Sequence, residues 1–142
     1  MHMKKLYKFI LIIISILILG GIISGLYLFN LKPKDLKKVK PDYIINAADL
    51  FTAFENDETI AALKYVDKVI EVTGTIKEIK QGENNSINIS LDTGSALSSV
   101  ICSFQGHSDL PEYNVGDTIT VRGECSGFLL DVLLNNCVVI TM

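Results

Sequence analysis

The feature that most constrains this chain is an unbroken apolar run from Leu6 to Phe29. Its residues include one charged side chain, Lys8, and no Asp, Glu, Asn, Gln, His or Arg. A helix rises about 1.5 Å per residue, so the run reaches roughly 36 Å, and the hydrocarbon core of a bilayer is about 30 Å thick. The sequence therefore predicts a transmembrane helix over 6–29, with the lipid bilayer as a partner of the chain.

A cleaved signal peptide is the alternative to a permanent anchor. Such peptides combine a basic start with an apolar region of about 7–15 residues and a small-x-small cleavage site. Here the apolar run is longer, its end makes a poor cleavage site, and no cysteine follows closely to carry a lipid anchor. We therefore expect an uncleaved, single-pass anchor.

The lysines around the span give conflicting information on its orientation. Lys4, Lys5 and Lys8 lie at its start, and five more lysines follow it by residue 40, which argues against export of the soluble part. A short basic N-terminus followed directly by a long apolar run nevertheless most often stays inside. We expect the soluble domain on the outer side of the membrane, either periplasmic or extracytoplasmic.

Gly21 and Gly25 have the small-xxx-small spacing that lets two membrane helices approach closely. Glycine is also common in membrane helices in general, so the spacing has a second explanation. One hypothesis is therefore that the chain is a structural or accessory subunit of a membrane complex that assembles through these glycines.

Charge divides the chain into two parts. Residues 1–40 hold eight lysines and one acid, whereas residues 41–142 hold five basic residues and fifteen acids. The lysines after the span either lie against anionic headgroups or belong to a solvated spacer interrupted by prolines. The organisation that we predict is a basic N-terminus (1–5), a transmembrane helix (6–29), a basic linker (30–44) and an acidic domain (45–142).

Two short helices are predicted at the start of the domain. Asn46 is a typical N-cap residue, and Leu50, Phe51 and Phe54 then fall on one helical face. A second helix is predicted over about 57–65, where acidic residues in the first turn complement the positive end of the helix dipole.

Five strands follow, because apolar and polar side chains alternate with a period of two and β-branched residues are frequent. They cover approximately 69–79, 87–91, 99–104, 118–125 and 130–140. Closing such a sheet into a small barrel removes its exposed edges, and Gly74 and Gly123 suit the bends of a barrel. We therefore predict a mainly β fold, a five-stranded OB-like barrel preceded by two short helices.

The soluble part also resembles a known family, the tRNA-anti-like OB-fold proteins. The motifs that carry the resemblance are Leu50-Phe-Thr-Ala-Phe-Glu-Asn56, Ala61, Lys64-Tyr65, Val69-Ile-Glu-Val-Thr-Gly74, Val100-Ile-Cys-Ser-Phe104, Val115-Gly-Asp117, Val121-Arg-Gly123 and Leu134-Asn-Asn-Cys137. The resemblance implies an OB-like barrel and a bacterial origin, often with an N-terminal signal or membrane segment. The function of these proteins is largely unassigned, so no catalytic residue is transferred.

The composition of the domain disfavours nucleic acid as a partner. Binding of a phosphate backbone depends on Lys and Arg, and acids outnumber bases threefold over 41–142. Single strands also need aromatic platforms, and most aromatic residues here fall at core positions. An OB scaffold by itself does not imply this function.

No motif in the sequence indicates an enzyme, a cofactor or a metal. The domain has one histidine, His107, and a dyad with Cys102 is the only catalytic pair that we considered. A zinc site from the three cysteines and His107 has suitable ligand types but no Cys-x-x-Cys spacing. We expect no enzymatic activity, no cofactor and no metal.

The three cysteines fall on predicted strands. In OB topology the fifth strand lies between the third and the fourth, so Cys137 is expected next to Cys125 or Cys102. One disulfide of Cys137 with either residue is therefore predicted if the compartment is oxidising. The alternative is three buried thiols.

The other hypothesis is a membrane-tethered, non-enzymatic binding module for a protein, peptide or glycan. Its binding face would be formed by the second and third strands and the loop between the fourth and fifth. The residues predicted there are Asn88, Ser90, Ser99, Ser103 and, in the loop, Phe128. An ordinary solvated surface is the alternative for the polar residues.

Overall fold

The computed structural model describes residues 2–30, 34–106 and 110–140, and the chain divides into two compact units, 1–33 and 34–142. The first unit contains α1 (His2–Phe29), within which Met3–Phe29 is long and apolar enough to cross a membrane. None of that stretch is buried. The predicted span is therefore a helix whose apolar side chains find no protein core.

The second unit contains a short 3-10 helix followed by strands and two α-helices. In chain order its elements are the 3-10 helix Leu36–Lys38, β1 (Tyr43–Asn46), α2 (Ala47–Asn56), α3 (Glu58–Tyr65), β2 (Val69–Gln81), the 3-10 helix Glu83–Asn85, β3 (Ile87–Asp92), β4 (Ser99–Phe104), β5 (Thr118–Leu129) and β6 (Asp131–Val139). The two predicted α-helices are both present, and each predicted strand has its counterpart among β2 to β6.

The strands form a closed barrel. Their order is β1-β2-β3-β4-β6-β5, and pairing of β2 with β5 closes the sheet. The β1–β2 and β4–β6 pairs are parallel, and the others are antiparallel. The predicted five-stranded OB-like barrel is confirmed. The short strand β1 was not predicted, because its four residues give too little alternation to recognise.

The helices α2 and α3 pack on the barrel and supply part of its core. Leu50 and Phe54 of α2 are at most 1% exposed, as the helical spacing predicted. The N-cap of α3 is Asp57, whose Oδ1 accepts a hydrogen bond from the Ile60 N–H at 3.0 Å. At the start of α2, Asn46 does not cap by accepting a bond, and its amide instead donates to Asp49 Oδ2 at 3.4 Å.

The glycines in two strands are explained by close packing. A Cβ at Gly123 would lie 2.6 Å from Cys137 Sγ and 3.2 Å from the Asn135 carbonyl oxygen. A Cβ at Gly74 would lie 2.9 Å from the Ala47 Cβ. Larger residues are therefore excluded at both positions, the first on the barrel wall and the second beneath α2.

The predicted linker over 30–44 is in part an integral piece of the domain. Leu36 is fully buried, and Asn136 Nδ2 donates to the Lys34 carbonyl oxygen at 3.1 Å. The compact unit accordingly begins at Lys34, eleven positions before the predicted domain start at residue 45. The reason is that a single buried leucine among lysines anchors a segment whose composition is typical of a solvated spacer.

Arg122 of β5 holds this segment in place. Its Nε and Nη2 donate to Glu71 Oε2 at 3.1 and 2.6 Å. Its Nη1 donates to the carbonyl oxygens of Leu36, Lys37 and Val39 at 3.1, 3.2 and 2.6 Å. One guanidinium thus connects two barrel strands to the chain that leads to α1, and we call this arrangement the Arg122 clamp.

Candidate functional site

A polar groove of about 330 Å³ lies on the face formed by β2, β3 and β4. The start of β6 and the loop after β3 complete its walls. The residues that line it are Lys77, Glu78, Lys80, Asn88, Ser90, Ala96, Leu97, Ser99, Ile101 and Asp131. We call this surface the polar groove.

The strand register explains why these side chains share one face. Asn88 of β3 pairs with Lys80 of β2 and with Ser103 of β4, and Ser90 pairs with Glu78 and Ile101 in the next row. Residues opposite each other across a sheet point to the same side. In the first row the Ser103 hydroxyl donates to Asn88 Oδ1 at 2.8 Å, so the two polar groups orient each other.

Asp131 fixes one end of the groove. Its Oδ1 accepts hydrogen bonds from the Ser99 N–H at 2.7 Å and from the Ser99 hydroxyl at 2.9 Å. Ser99 is only 8% exposed. Ser99 therefore serves mainly to position Asp131, and Asp131 is the more accessible acceptor, although the sequence analysis did not select it.

The charges in the groove balance. Lys77 donates from Nζ to the carbonyl oxygens of Ser95 and Ala96 at 2.9 and 3.3 Å, which ties the loop after β3 to the barrel. Lys80 Nζ lies 2.9 Å from Glu78 Oε2 in an exposed ion pair. The lining thus has two cations, Lys77 and Lys80, and two anions, Glu78 and Asp131, and hence no net charge.

Exposed leucines border the polar surface. Leu97, which lines the groove, is 81% exposed, and Leu129 and Leu130 at the tip between β5 and β6 are 80% and 63% exposed. The hydrogen bond from Ser99 to Asp131 brings the two segments together, because Leu97 precedes Ser99 by two residues and Leu130 directly precedes Asp131. The groove therefore has one exposed leucine, Leu97, in its lining, and the hairpin tip with Leu129 and Leu130 directly precedes Asp131 at its end.

Three of the five residues predicted for the binding face, Asn88, Ser90 and Ser103, lie together as expected, and Ser99 lies at the edge of the groove. Phe128 does not stand in a loop, because it is within β5 and its ring lies 5.4 Å from Phe54 and 6.2 Å from Phe51 between centroids. This placement of Phe128 corrects the prediction. Phe128 packs against α2 and not in the groove, because the pairing of β5 with β6 continues past Ser126 and Gly127, where the sequence predicts the end of the strand.

Five aromatic side chains of the domain lie in contact with one another at the helices and not in the groove: Tyr43, Phe51, Phe54, Tyr65 and Phe128. Tyr43 and Tyr65 are 5.1 Å apart, and Phe54 stacks on Phe128. Among the described residues that line the polar groove, none is aromatic. The groove therefore offers hydrogen bonds and leucine side chains but no platform on which a base or a sugar ring could stack.

Among the described residues, the cysteines at 102, 125 and 137 are free and buried. Burial raises the pKa of the Cys125 thiol, and the burial of Cys137 with its neighbour Cys102 raises the pKa of Cys137 well above the usual value. A raised pKa keeps a thiol protonated and unreactive. The structure thus places Cys102 beside Cys137, and a disulfide of Cys137 with Cys102 or Cys125 stays a prediction.

Within 2–30, 34–106 and 110–140, no three His, Cys, Asp or Glu side chains are close enough together to hold an ion. His107, which the sequence analysis considered with the cysteines, lies outside the described residues.

Comparisons with known proteins agree with the architecture. The model of the tRNA_anti-like family matches residues 1–139. A search of curated proteins finds no significant match. A solved structure of a proposed nucleic acid-binding lipoprotein from Klebsiella pneumoniae subsp. pneumoniae MGH 78578 is similar, with a TM-score of 0.57 and 18% identity, covering 68% of this chain and 91% of that one. At this identity the likeness concerns the fold.

Proposed function

Because the chain belongs to the tRNA_anti-like family and carries an accessible groove on its barrel, we propose that it is a membrane-tethered, non-enzymatic binding module. The proposed ligand is a segment of a partner protein or peptide without net charge. The observation that carries this proposal is the polar groove itself, which has balanced charges, the exposed Leu97 in its lining and the exposed Leu129 and Leu130 at the hairpin tip before Asp131. In an OB-type barrel this region is the usual ligand-binding face.

The chemistry of the groove favours a peptide over a glycan or a nucleic acid. Asn88, Ser90 and Asp131 offer donors and acceptors that suit a peptide backbone, and the exposed leucines suit apolar side chains. Exposed apolar surface bordered by polar residues is typical of protein interaction sites, and here the exposed leucines border the polar groove. The absence of aromatic rings among the described lining residues removes the stacking that single-stranded nucleic acids and many sugars require.

The charge of the domain supports the same choice. Residues 34–142 carry sixteen acids and nine bases. We expect no salt-sensitive binding of a short single-stranded oligonucleotide to the full chain in detergent, measured by fluorescence anisotropy at low salt. Tight binding with a steep salt dependence would contradict the proposal and favour the activity proposed for the Klebsiella lipoprotein.

We place the barrel at the outer surface of a membrane, with α1 as its anchor. The length of the apolar helix and the exposure of its residues support the anchor, and the short basic N-terminus that precedes it supports the outward orientation. The anchor keeps the binding module at the surface where its partner resides. Orientation can be tested by adding a protease to spheroplasts, from which any outer membrane has been removed. Degradation of the barrel is expected, and a protected barrel would contradict the outward placement.

Site-directed photocrosslinking in native membranes tests the binding proposal. A photoreactive amino acid at Ser90, in the groove, is expected to give one discrete protein adduct. The same amino acid at Thr59, on the exposed surface of α3, is the matched control and is expected to give none. Replacing Leu97 and Leu130 with Ser should abolish the Ser90 adduct. An adduct that persists in that variant, or forms equally from Thr59, would contradict the proposed site.

The alternative function, an accessory subunit that assembles through α1, has one observation in its favour. Nothing lies within 4 Å of a Cβ built at Gly21 or Gly25, so both positions are open to a neighbouring helix. Replacement of both glycines with Leu separates the two functions. Loss of a native-size complex with an unchanged Ser90 crosslink would favour assembly through the helix, whereas an unchanged complex would eliminate it.

A further inference from the structure

The segment that joins α1 to the barrel has a second feature besides the Arg122 clamp. Four of its side chains, Lys34, Lys37, Lys38 and Lys40, are exposed lysines. Asp35 is the one acid among them, and its carboxylate accepts from the Lys37 N–H at 3.1 Å and lies 4.0 Å from Lys38 Nζ. The segment 34–40 therefore presents a net positive surface, which we call the lysine strip.

The strip contrasts with the rest of its domain. Residues 41–142 hold fifteen acids against five bases. One of those bases, Arg122, has its charge paired in the clamp, where it binds Glu71 and three carbonyl groups. The domain is thus electrically polarised, with its positive end at the residues where the chain arrives from α1.

The clamp fixes the backbone of the lysine strip on the barrel. Leu36 is fully buried, and the carbonyl oxygens of Leu36, Lys37 and Val39 all accept from Arg122. Because these carbonyl groups and Leu36 face the barrel, the lysine side chains extend into solvent. The Lys38 side chain, for example, is 86% exposed. A free spacer would lose conformational entropy when its lysines bind a surface, whereas this segment is already ordered.

The covalent length of the chain keeps the strip near the bilayer. Lys34 follows the last residue of α1, Phe29, by five residues, which span at most about 18 Å. This bound holds for any orientation of the domain. The Debye length at physiological salt is about 8 Å, so the five-residue connection is short enough for the strip to approach the headgroups to within the range of their charge.

We propose that the lysine strip binds the anionic lipid headgroups of the membrane that α1 enters. A basic segment next to a membrane gains about a fivefold preference for anionic surfaces for each lysine that reaches them. The acids elsewhere on the domain are repelled by the same surface, so the barrel is oriented with the strip toward the bilayer. This inference rests on the membrane anchoring in the proposed function and adds a lipid preference and an orientation to it.

Amine labelling of the full chain in lipid nanodiscs tests the proposal. One preparation contains phosphatidylcholine alone, and the other contains phosphatidylcholine mixed with phosphatidylglycerol. A water-soluble amine-reactive ester is added, and mass spectrometry gives the labelling rate of each lysine. Lys34, Lys38 and Lys40 are expected to be labelled about fivefold more slowly in the anionic discs, and high salt should remove the difference. Lys64, Lys68 and Lys80 serve as internal references and are expected to label equally in both.

A matched pair of variants completes the experiment. The two triple variants are K34Q/K38Q/K40Q in the strip and K64Q/K68Q/K80Q elsewhere on the domain, and they change the net charge equally. The chain is offered both lipid compositions in competition. Only the strip variant is expected to lose the preference for anionic discs. Equal labelling in both discs, or equal loss in both variants, would overturn the proposal. Insertion of α1 is measured separately by resistance to alkaline extraction. A chain that resists extraction but labels equally contradicts the lysine strip alone, whereas a chain that does not insert contradicts the proposed anchoring.

Discussion

The helix α1 and the barrel use the same apolar residue types in opposite ways. Leu17 in α1 is 69% exposed, whereas Leu91 in β3 is fully buried. The difference follows from pattern: the run over 6–29 is continuous, while the strands alternate with a period of two. A continuous run leaves its helix without a polar face for water, which is why we propose that α1 lies in a membrane. The comparison shows how one short chain specifies two environments.

The largest expected effect tests this contrast with a single substitution type. Leu91→Ala opens a cavity in the barrel core and is expected to destabilise the domain by about 2–5 kcal/mol. Leu17→Ala removes the same atoms from an exposed position, and the free energy of unfolding of the barrel should change by less than about 0.5 kcal/mol. Chemical denaturation of both variants in detergent measures the two changes in the free energy of unfolding. Similar losses in the two variants would contradict the proposed difference between α1 and the barrel core.

The Arg122 clamp holds the first residues of the second unit, which follow α1 along the chain. Arg122→Ala leaves Glu71 and three backbone carbonyl groups without their donor and is expected to cost about 2–4 kcal/mol. It should also release the segment 34–40, which limited trypsin digestion detects as rapid cleavage after its lysines. Arg122→Lys retains the charge but loses the fork of donors, so an intermediate result is expected. Unchanged digestion of Arg122→Ala would show that the burial of Leu36 and the hydrogen bond from Asn136 to Lys34 hold the segment without the clamp.

Glycine positions offer a smaller, matched test. Gly123→Ala places a Cβ 2.6 Å from Cys137 Sγ and is expected to destabilise the barrel by about 1–3 kcal/mol. Gly21→Ala in α1 meets nothing within 4 Å and should leave barrel stability unchanged. Thermal unfolding of the two variants, followed by circular dichroism of the β-sheet signal, distinguishes the packed glycine from the exposed one.

The smallest effect concerns the buried thiols, which α1 lacks. Burial raises the pKa of Cys125, so the folded domain favours the neutral thiol. The stabilising contribution of the protonated Cys125 thiol is complete below the pKa of an unfolded thiol, about 8.5, and decreases as the pH rises above that value. Under reducing conditions the free energy of unfolding should therefore fall in alkaline solution, and Cys125→Ala should flatten the decline. A steeper decline in the variant would contradict this assignment.

Much of the fold could be predicted from local patterns. The helical spacing of Leu50, Phe51 and Phe54 and the alternation within the strands are signals that neighbouring residues carry, and the barrel followed from the need to remove sheet edges. Asn88, Ser90 and Ser103 could be placed on one face because side chains alternate along a strand. These predictions needed no knowledge of contacts between distant residues.

The parts that were missed depend on contacts between distant residues. Arg122 meets carbonyl groups more than eighty positions earlier, and Asp131 meets Ser99 across thirty-two positions. Nothing next to Leu36 indicates that it is buried, since its neighbours are lysines and an aspartate. Phe128 was misplaced because the pairing of β5 with β6 continues to Leu129 through an irregular register that Gly127 accommodates at a φ of +140°.

We propose that this chain is divided between lipid and water, with α1 retained as the anchor of the barrel. The intact mass of the protein, recovered from membranes of producing cells after an alkaline wash, tests this division. We expect the protein to stay with the membranes and its mass to include the apolar helix. Recovery in the wash, or a mass that lacks the first thirty or so residues, would contradict it.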